Sequence, residues 1–143
     1  RSFDNSFHKA VINLIYTSNW MNDQMKVVFK PYSITPQQYN VLRILKGKYP
    51  GVCSAGEIKA VMLDKTPDLT RLIDRLVEKA LVERVVCPEN RRKMDINITK
   101  KGIYLIQEIT PEIKRKQETM NVITDKEAEK LSEILDKIRV NIV

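Results

Sequence analysis

In Thr66-Pro67-Asp68-Leu69-Thr70-Arg71-Leu72-Ile73-Asp74-Arg75-Leu76-Val77-Glu78-Lys79-Ala80-Leu81-Val82-Glu83-Arg84-Val85-Val86-Cys87 the spacing of the apolar residues changes in mid-run. Leu69, Leu72, Ile73, Leu76 and Val77 recur at three- and four-residue steps, the single stripe of an amphipathic helix over about 66–79. Thr66 is the expected cap of that helix and Pro67 its first residue, because proline lacks the N–H that would go unpaired there. From Leu81 to Cys87 the chain is rich in valine and reads as a strand. Pro88-Glu89-Asn90-Arg91-Arg92-Lys93 is a polar tip, and Met94, Ile96 and Ile98 alternate with Asp95 and Asn97 as the returning strand.

Outward from this helix and hairpin, both sides read as helix. Upstream, Thr35-Pro36-Gln37-Gln38 is a capping box, and Tyr39, Leu42 and Leu45 follow on one face until Tyr49-Pro50-Gly51. Ser54-Ala55-Gly56-Glu57 is a second box, opening a short helix with Ile58, Val61 and Met62 turned inward; Val52 and Cys53 before it form a very short strand. Phe3, Phe7, Ala10, Leu14, Met21, Met25 and Val28 stripe one long helix from about Phe3 to Phe29, stopped by Pro31. Downstream, Thr99 caps a helix that runs to about Val122 with a bend at Thr110-Pro111. Thr124-Asp125-Lys126-Glu127 opens the last helix, whose Ala128, Leu131, Leu135, Ile138 and Ile142 form a coiled-coil-like seam. Three short helices followed by a hairpin is the order of a winged helix-turn-helix. The expected fold is therefore mainly α with a small β-hairpin wing, carried between N- and C-terminal helices. Residues 1–30 form a first dimerisation helix, 31–104 the winged lobe and 105–143 the C-terminal dimerisation helices.

The face of the 66–79 helix opposite the stripe carries Thr66, Pro67, Thr70, Arg71, Asp74 and Arg75. The N-terminal part of a recognition helix enters the major groove, where an arginine forks onto guanine or clamps phosphate. Asp74 either accepts from a cytosine amine or orients an arginine. In the wing, 88–94, Arg91, Arg92 and Lys93 crowd three positive charges onto one turn, which a minor groove can receive. The chain's net charge of +7 and pI of about 9.4 suit the same partner, double-stranded DNA. Any one of these features alone describes a solvated surface; helix order, hairpin and charge agree on DNA. A protein-interaction adaptor built on a winged helix is the competing reading, and it would carry an apolar or acidic face where Arg71 and Arg75 stand.

Other classes find little purchase. Cys53 and Cys87 lie far apart and are expected to be reduced thiols of a cytoplasmic protein, although Cys53 just before a helix start is placed where a thiol can be activated. His8 is the only histidine, which leaves no metal cluster and no evident catalytic partner. The sequence holds no Gly-rich phosphate loop, so neither enzyme nor cofactor is expected, and no apolar run reaches the length of a membrane span.

The chain resembles the MarR-type (multiple antibiotic resistance regulator) family of bacterial regulators. The matching segments are Ile34-Thr35-Pro36-Gln37-Gln38-Tyr39-Asn40-Val41-Leu42, Thr70 through Lys79, Leu81-Val82-Glu83-Arg84, Asn90-Arg91-Arg92, and Ile98-Thr99-Lys100-Lys101-Gly102. The resemblance implies a transcriptional regulator, commonly a repressor, that binds a pseudo-palindromic operator as a homodimer. It marks Arg92, seven residues before Thr99, as the minor-groove arginine. Asn90 replaces the family's usual Asp, with Glu89 expected to take over its support of the wing. Ala80 replaces a common Gly, for which a slightly different turn is expected. The resemblance assigns the terminal helices to a dimer interface, and the apolar residues Phe3, Phe7, Leu14, Leu131, Leu135, Ile138 and Ile142 agree; packing of the first helix on the last is the alternative. It also implies a small-molecule effector between dimer region and DNA lobe, for which Trp20, Met21, Met25, Tyr32 and Tyr39 are candidates, against the plainer reading that they are core.

Overall fold

The computed structural model describes residues 2–64, 68–90 and 92–140. The chain runs α1 (Ser6–Phe29), a 3-10 turn (Lys30–Tyr32), α2 (Pro36–Lys48), β1 (Cys53–Ser54), α3 (Ala55–Val61), α4 (Leu69–Glu78), β2 (Val82–Val86), β3 (Met94–Ile98), α5 (Lys100–Met120) and α6 (Asp125–Val140). The mainly helical winged architecture expected from the sequence is the one observed. β3 is the middle strand of a small antiparallel sheet, with β1 on one side and β2 on the other. Val82 pairs with Ile98, Arg84 with Ile96 and Val86 with Met94, so the hairpin keeps its register to the base of the tip.

Local chemistry starts most of the helices where the sequence places them. Thr35 accepts from the Gln38 N–H at 3.1 Å while Gln38 Oε1 accepts from the Thr35 N–H at 3.0 Å, so the box is closed in both directions. Thr124 and Glu127 form the same reciprocal pair at the start of α6, and the Thr124 N–H and hydroxyl together hold the Glu127 carboxyl below its ordinary range. Ser54 and Thr99 cap α3 and α5 through the N–H groups of Glu57 and Gly102.

The start of α4 differs from expectation. Asp68 is its cap, accepting from the Arg71 N–H at 3.1 Å, and the helix begins at Leu69. A carboxylate at this position bonds an orphan amide and also meets the positive end of the helix dipole, so it is a stronger cap than a hydroxyl. Thr66 and Pro67 lie outside the described residues. Val61 also departs from its inward assignment. α3 ends there and Met62 continues in extended backbone (ψ 138°), which turns Met62 into the core and leaves Val61 exposed.

The core gathers Val41, Leu42 and Leu45 of α2, Ile58 of α3, Leu69, Ile73 and Leu76 of α4, Ile96 and Ile98 of β3, and Ile106 and Ile109 of α5. It reaches past residue 104 into the first half of α5, and back to Phe29 at the end of α1. Cys53 is buried in it; that burial, followed by the Glu57 carboxylate, pushes its thiol up. The position before a helix start therefore does not activate this cysteine. Among the described residues no helix is long and apolar enough to cross a membrane.

α4 ends in a Schellman motif. The Leu81 N–H donates to the Leu76 carbonyl at 3.0 Å and the Ala80 N–H to Val77 at 2.9 Å, with Ala80 left-handed at φ 59°. The turn is thus the one a glycine would make, not a variant of it, and the alanine methyl is accommodated at a cost of about 1 kcal/mol. Ala80→Gly is expected to raise stability by about 1 kcal/mol. The check is a higher denaturant midpoint with an unchanged m-value; a lower midpoint would mean that chain entropy outweighs the relieved strain.

Candidate nucleic-acid interface

α4 is anchored by Leu69, Ile73 and Leu76, which fixes the direction of its other side. Thr70, Arg71, Asp74 and Arg75 are all exposed on that side. Arg71 and Arg75 stand one turn apart and, among the described residues, neither lies within ion-pair distance of an acid. Asp74 behaves differently: it pairs with Arg84 on β2. The arginine it meets belongs to the wing strand and not to α4. The pair ties the wing to the middle of α4, so helix and hairpin present their charges as one unit.

The wing tip is built on Asn90. Its Oδ1 accepts from the Arg92 N–H at 3.1 Å, its N–H donates to the Cys87 carbonyl at 3.3 Å, and its carbonyl accepts from the Lys93 N–H at 3.0 Å. The support expected of Glu89 therefore comes from Asn90 itself, because an amide oxygen accepts a backbone bond as a carboxylate oxygen does. Arg92 and Lys93 are exposed, two cations on a turn held by three bonds to one residue. Arg91 lies outside the described residues.

The terminal helices expose a large apolar surface. Phe3, Phe7 and Leu14 of the N-terminal segment and Leu131 and Ile138 of α6 are exposed, and Leu135 is half-buried. Among its described residues α6 buries none, so its seam is not covered by α1 of the same chain. Ile142 lies outside the described residues. Exposed apolar side chains in this number mark an association surface.

The five effector candidates are not brought together. Trp20 and Met21 are exposed on α1. Met25, Tyr32 and Tyr39 pack against the core; the Tyr39 ring lies 5.1 Å from that of Phe29 and its hydroxyl shares a hydrogen bond with Thr110 at 2.8 Å. Tyr32 alone borders an open cleft of about 370 Å³, where Val27, Val28 and Pro31 face Glu112, Arg115, Lys116 and Thr119 of α5.

Sequence reasoning missed Asp68, Arg84 and the bonding role of Asn90. Asp68 and Asn90 left local signals, an acid three residues before an arginine at the head of an apolar stripe and an Asn two residues before the tip arginine.

Comparison with known proteins gives a consistent result. A model of the MarR family matches residues 32–93, which span α2 through the wing tip. The chain is 29% identical over 134 residues to the HTH-type transcriptional regulator MhqR of Bacillus subtilis (strain 168), covering 92% of this chain and 88% of the relative. It is similar to the crystal structure of a MarR transcription factor from Planctomyces limnophilus, at 29% identity and a TM-score of 0.74, covering 97% of this chain and 99% of that one. It is also similar to a mutant of E. coli MarR complexed with operator DNA, at 25% identity and a TM-score of 0.75, covering 95% and 99%.

Proposed function

The chain belongs to the MarR family of transcriptional regulators, and from that premise we propose that it binds a pseudo-palindromic operator as a homodimer, with repression as its mode of action. α4 lies in the major groove through Thr70, Arg71 and Arg75, with Thr66 and Pro67 at its approach. The wing, with Arg91, Arg92 and Lys93, rests at the minor groove, and Asp74 serves by holding Arg84. Residues 1–30 and 105–143 form the dimer interface around Phe3, Phe7, Leu14, Leu131, Leu135, Ile138 and Ile142, and 31–104 form the DNA lobe.

The observation that carries this reading is that, among the described residues, Arg71 and Arg75 make no ion pair on the exposed face of a helix locked by its opposite stripe. A cation presented on an anchored helix and not engaged in an ion pair is ready for phosphate or guanine. Two-fold symmetry then sets the two recognition helices about one DNA turn apart. A small molecule that prefers one spacing of the two lobes would change DNA affinity by that preference, and the cleft at Tyr32 is the place for it.

The test is selection from random fluorescent duplexes at about 0.15 M salt, followed by titration at several salt concentrations. A palindrome with half-sites about one turn apart, bound less tightly as salt rises, is the expected result. No enrichment and weak binding at every salt would move the function to a protein partner.

Arg92→Ala is expected to weaken operator binding about tenfold, within the range for a lost groove contact, while the hairpin and the dimer persist. Fluorescence anisotropy beside light scattering checks this. Unchanged affinity in the folded dimer would take the wing out of the mechanism.

A further inference from the structure

At the C-terminal end of α4 one lysine joins four elements. Lys79 Nζ donates to the carbonyl of Ser33, in the turn between α1 and α2, and lies 3.5 Å from Oε1 of Gln38. Gln38 is buried, and that same oxygen already accepts from the Thr35 N–H in the cap of α2. The Lys79 carbonyl in turn accepts from Lys101 Nζ, in the first turn of α5, at 3.0 Å. The ammonium thus sits on carbonyl and amide oxygens, with no carboxylate at ion-pair distance among the described residues. A solvated surface lysine has no reason to be placed so.

The backbone points to the same spot. Among the described residues the non-glycine positions with left-handed φ are Ser33, at 56°, and Ala80, at 59°. Ser33 receives the Lys79 ammonium, and Ala80 follows Lys79 in the chain. Strained backbone persists only where its surroundings over-determine it, and here the strain stands at both ends of one strut. The strut is also remote from the groove-facing turn: Arg71 and Lys79 are separated along α4 by about 12 Å.

We propose that Lys79 is a positioning residue for DNA reading: its ammonium sets the tilt of α4 against the turn that follows α1, and its carbonyl, held by Lys101, sets it against the start of α5, so that the geometry of the dimer arm reaches the recognition helix through this one residue. The proposal rests on the DNA-binding reading above. A tilt error spoils base contacts, which need fixed geometry, and leaves the diffuse attraction to phosphate largely intact.

Lys79→Met keeps the aliphatic stem and removes the charge. It is titrated against the selected operator and against a scrambled duplex of equal length, at several salt concentrations. The expected result is about tenfold weaker operator binding, with scrambled binding and the salt slope unchanged. An equal loss on both duplexes with the salt slope reduced by about 0.9 would make Lys79 a phosphate contact and overturn the proposal. No change on either duplex would overturn it as well. Should Lys79→Met not fold, Lys101→Met removes the link from the α5 side alone. It is expected to lower the operator-to-scrambled ratio, and an unchanged ratio counts against the strut. If the unaltered protein distinguishes no duplex, the DNA reading fails separately, and amide exchange decides the strut. Faster exchange at Ser33 and Ala80 in Lys79→Met supports it; identical exchange overturns it.

Discussion

Leu135→Asp is expected to yield a monomer whose operator affinity is lower by about a thousandfold. Leu135 sits half-buried on α6 between Leu131 and Ile138, on a helix that buries no described residue within its own chain. In an isologous interface the substitution enters twice, because each protomer presents the same patch. Each carboxylate taken from water without a partner costs several kcal/mol. A protein linked as a dimer binds its second half-site at high effective concentration, which contributes about 10² to 10⁴ in affinity, and a monomer forfeits that gain. Light scattering reads the assembly state and anisotropy reads the DNA. A mutant that remains dimeric would remove α6 from the interface.

Gly102→Ala is expected to destabilise the fold by about 2–3 kcal/mol, with the winged lobe and the arm affected together. Gly102 lies in the first turn of α5, where alanine would ordinarily favour a helix by about 1 kcal/mol. Here an added Cβ would stand 2.4 Å from the Leu81 carbonyl oxygen and 2.7 Å from Cγ1 of Ile98. The carbonyl cannot easily give way: it accepts from the Thr99 N–H at 3.1 Å, and it follows directly on the left-handed Ala80. The Thr99 hydroxyl bonds the Ala80 carbonyl at 2.7 Å, which fastens the same turn from the other side. Chemical denaturation measures the effect. A gain in stability would show that the carbonyl yields at little cost and that helix propensity prevails.

The parts of the fold visible in the sequence are those set by neighbours three or four residues apart. Thr35, Thr99 and Thr124 cap helices because the partner amide or side chain is three positions on, and the stripe from Leu69 to Val77 needs only the helical period. The start of α4 was ambiguous for a local reason: Thr66 and Asp68 are both good caps two residues apart, and Pro67 between them fits either frame. Charge points to Glu89 as the wing support, whereas the geometry needs only an acceptor, which Asn90 supplies. The remaining features are not local. Arg84 meets Asp74 only after the chain has turned through Ala80, and Lys79 meets Ser33 across 46 positions. No periodicity records such pairs. The left-handed Ala80 was masked by its own identity, since alanine gives no sign of positive φ. For the effector candidates the aromatic and methionine content was legible, but its division between core and surface depended on how α1 lies against α5.

Pro111 stands inside α5 without interrupting it. Having no N–H, it leaves the Gln107 carbonyl without its usual rung in the ladder. The missing rung falls just past Ile106 and Ile109, the last α5 residues buried in the lobe, and before the stretch that continues to Met120. In mechanical terms α5 is a lever notched near its fulcrum: a load applied at the arm bends it at one turn instead of spreading along its length. The bond from Tyr39 to Thr110 braces that turn from α2. The compliance of the lever is thereby localised at a turn where a phenol on α2 meets it.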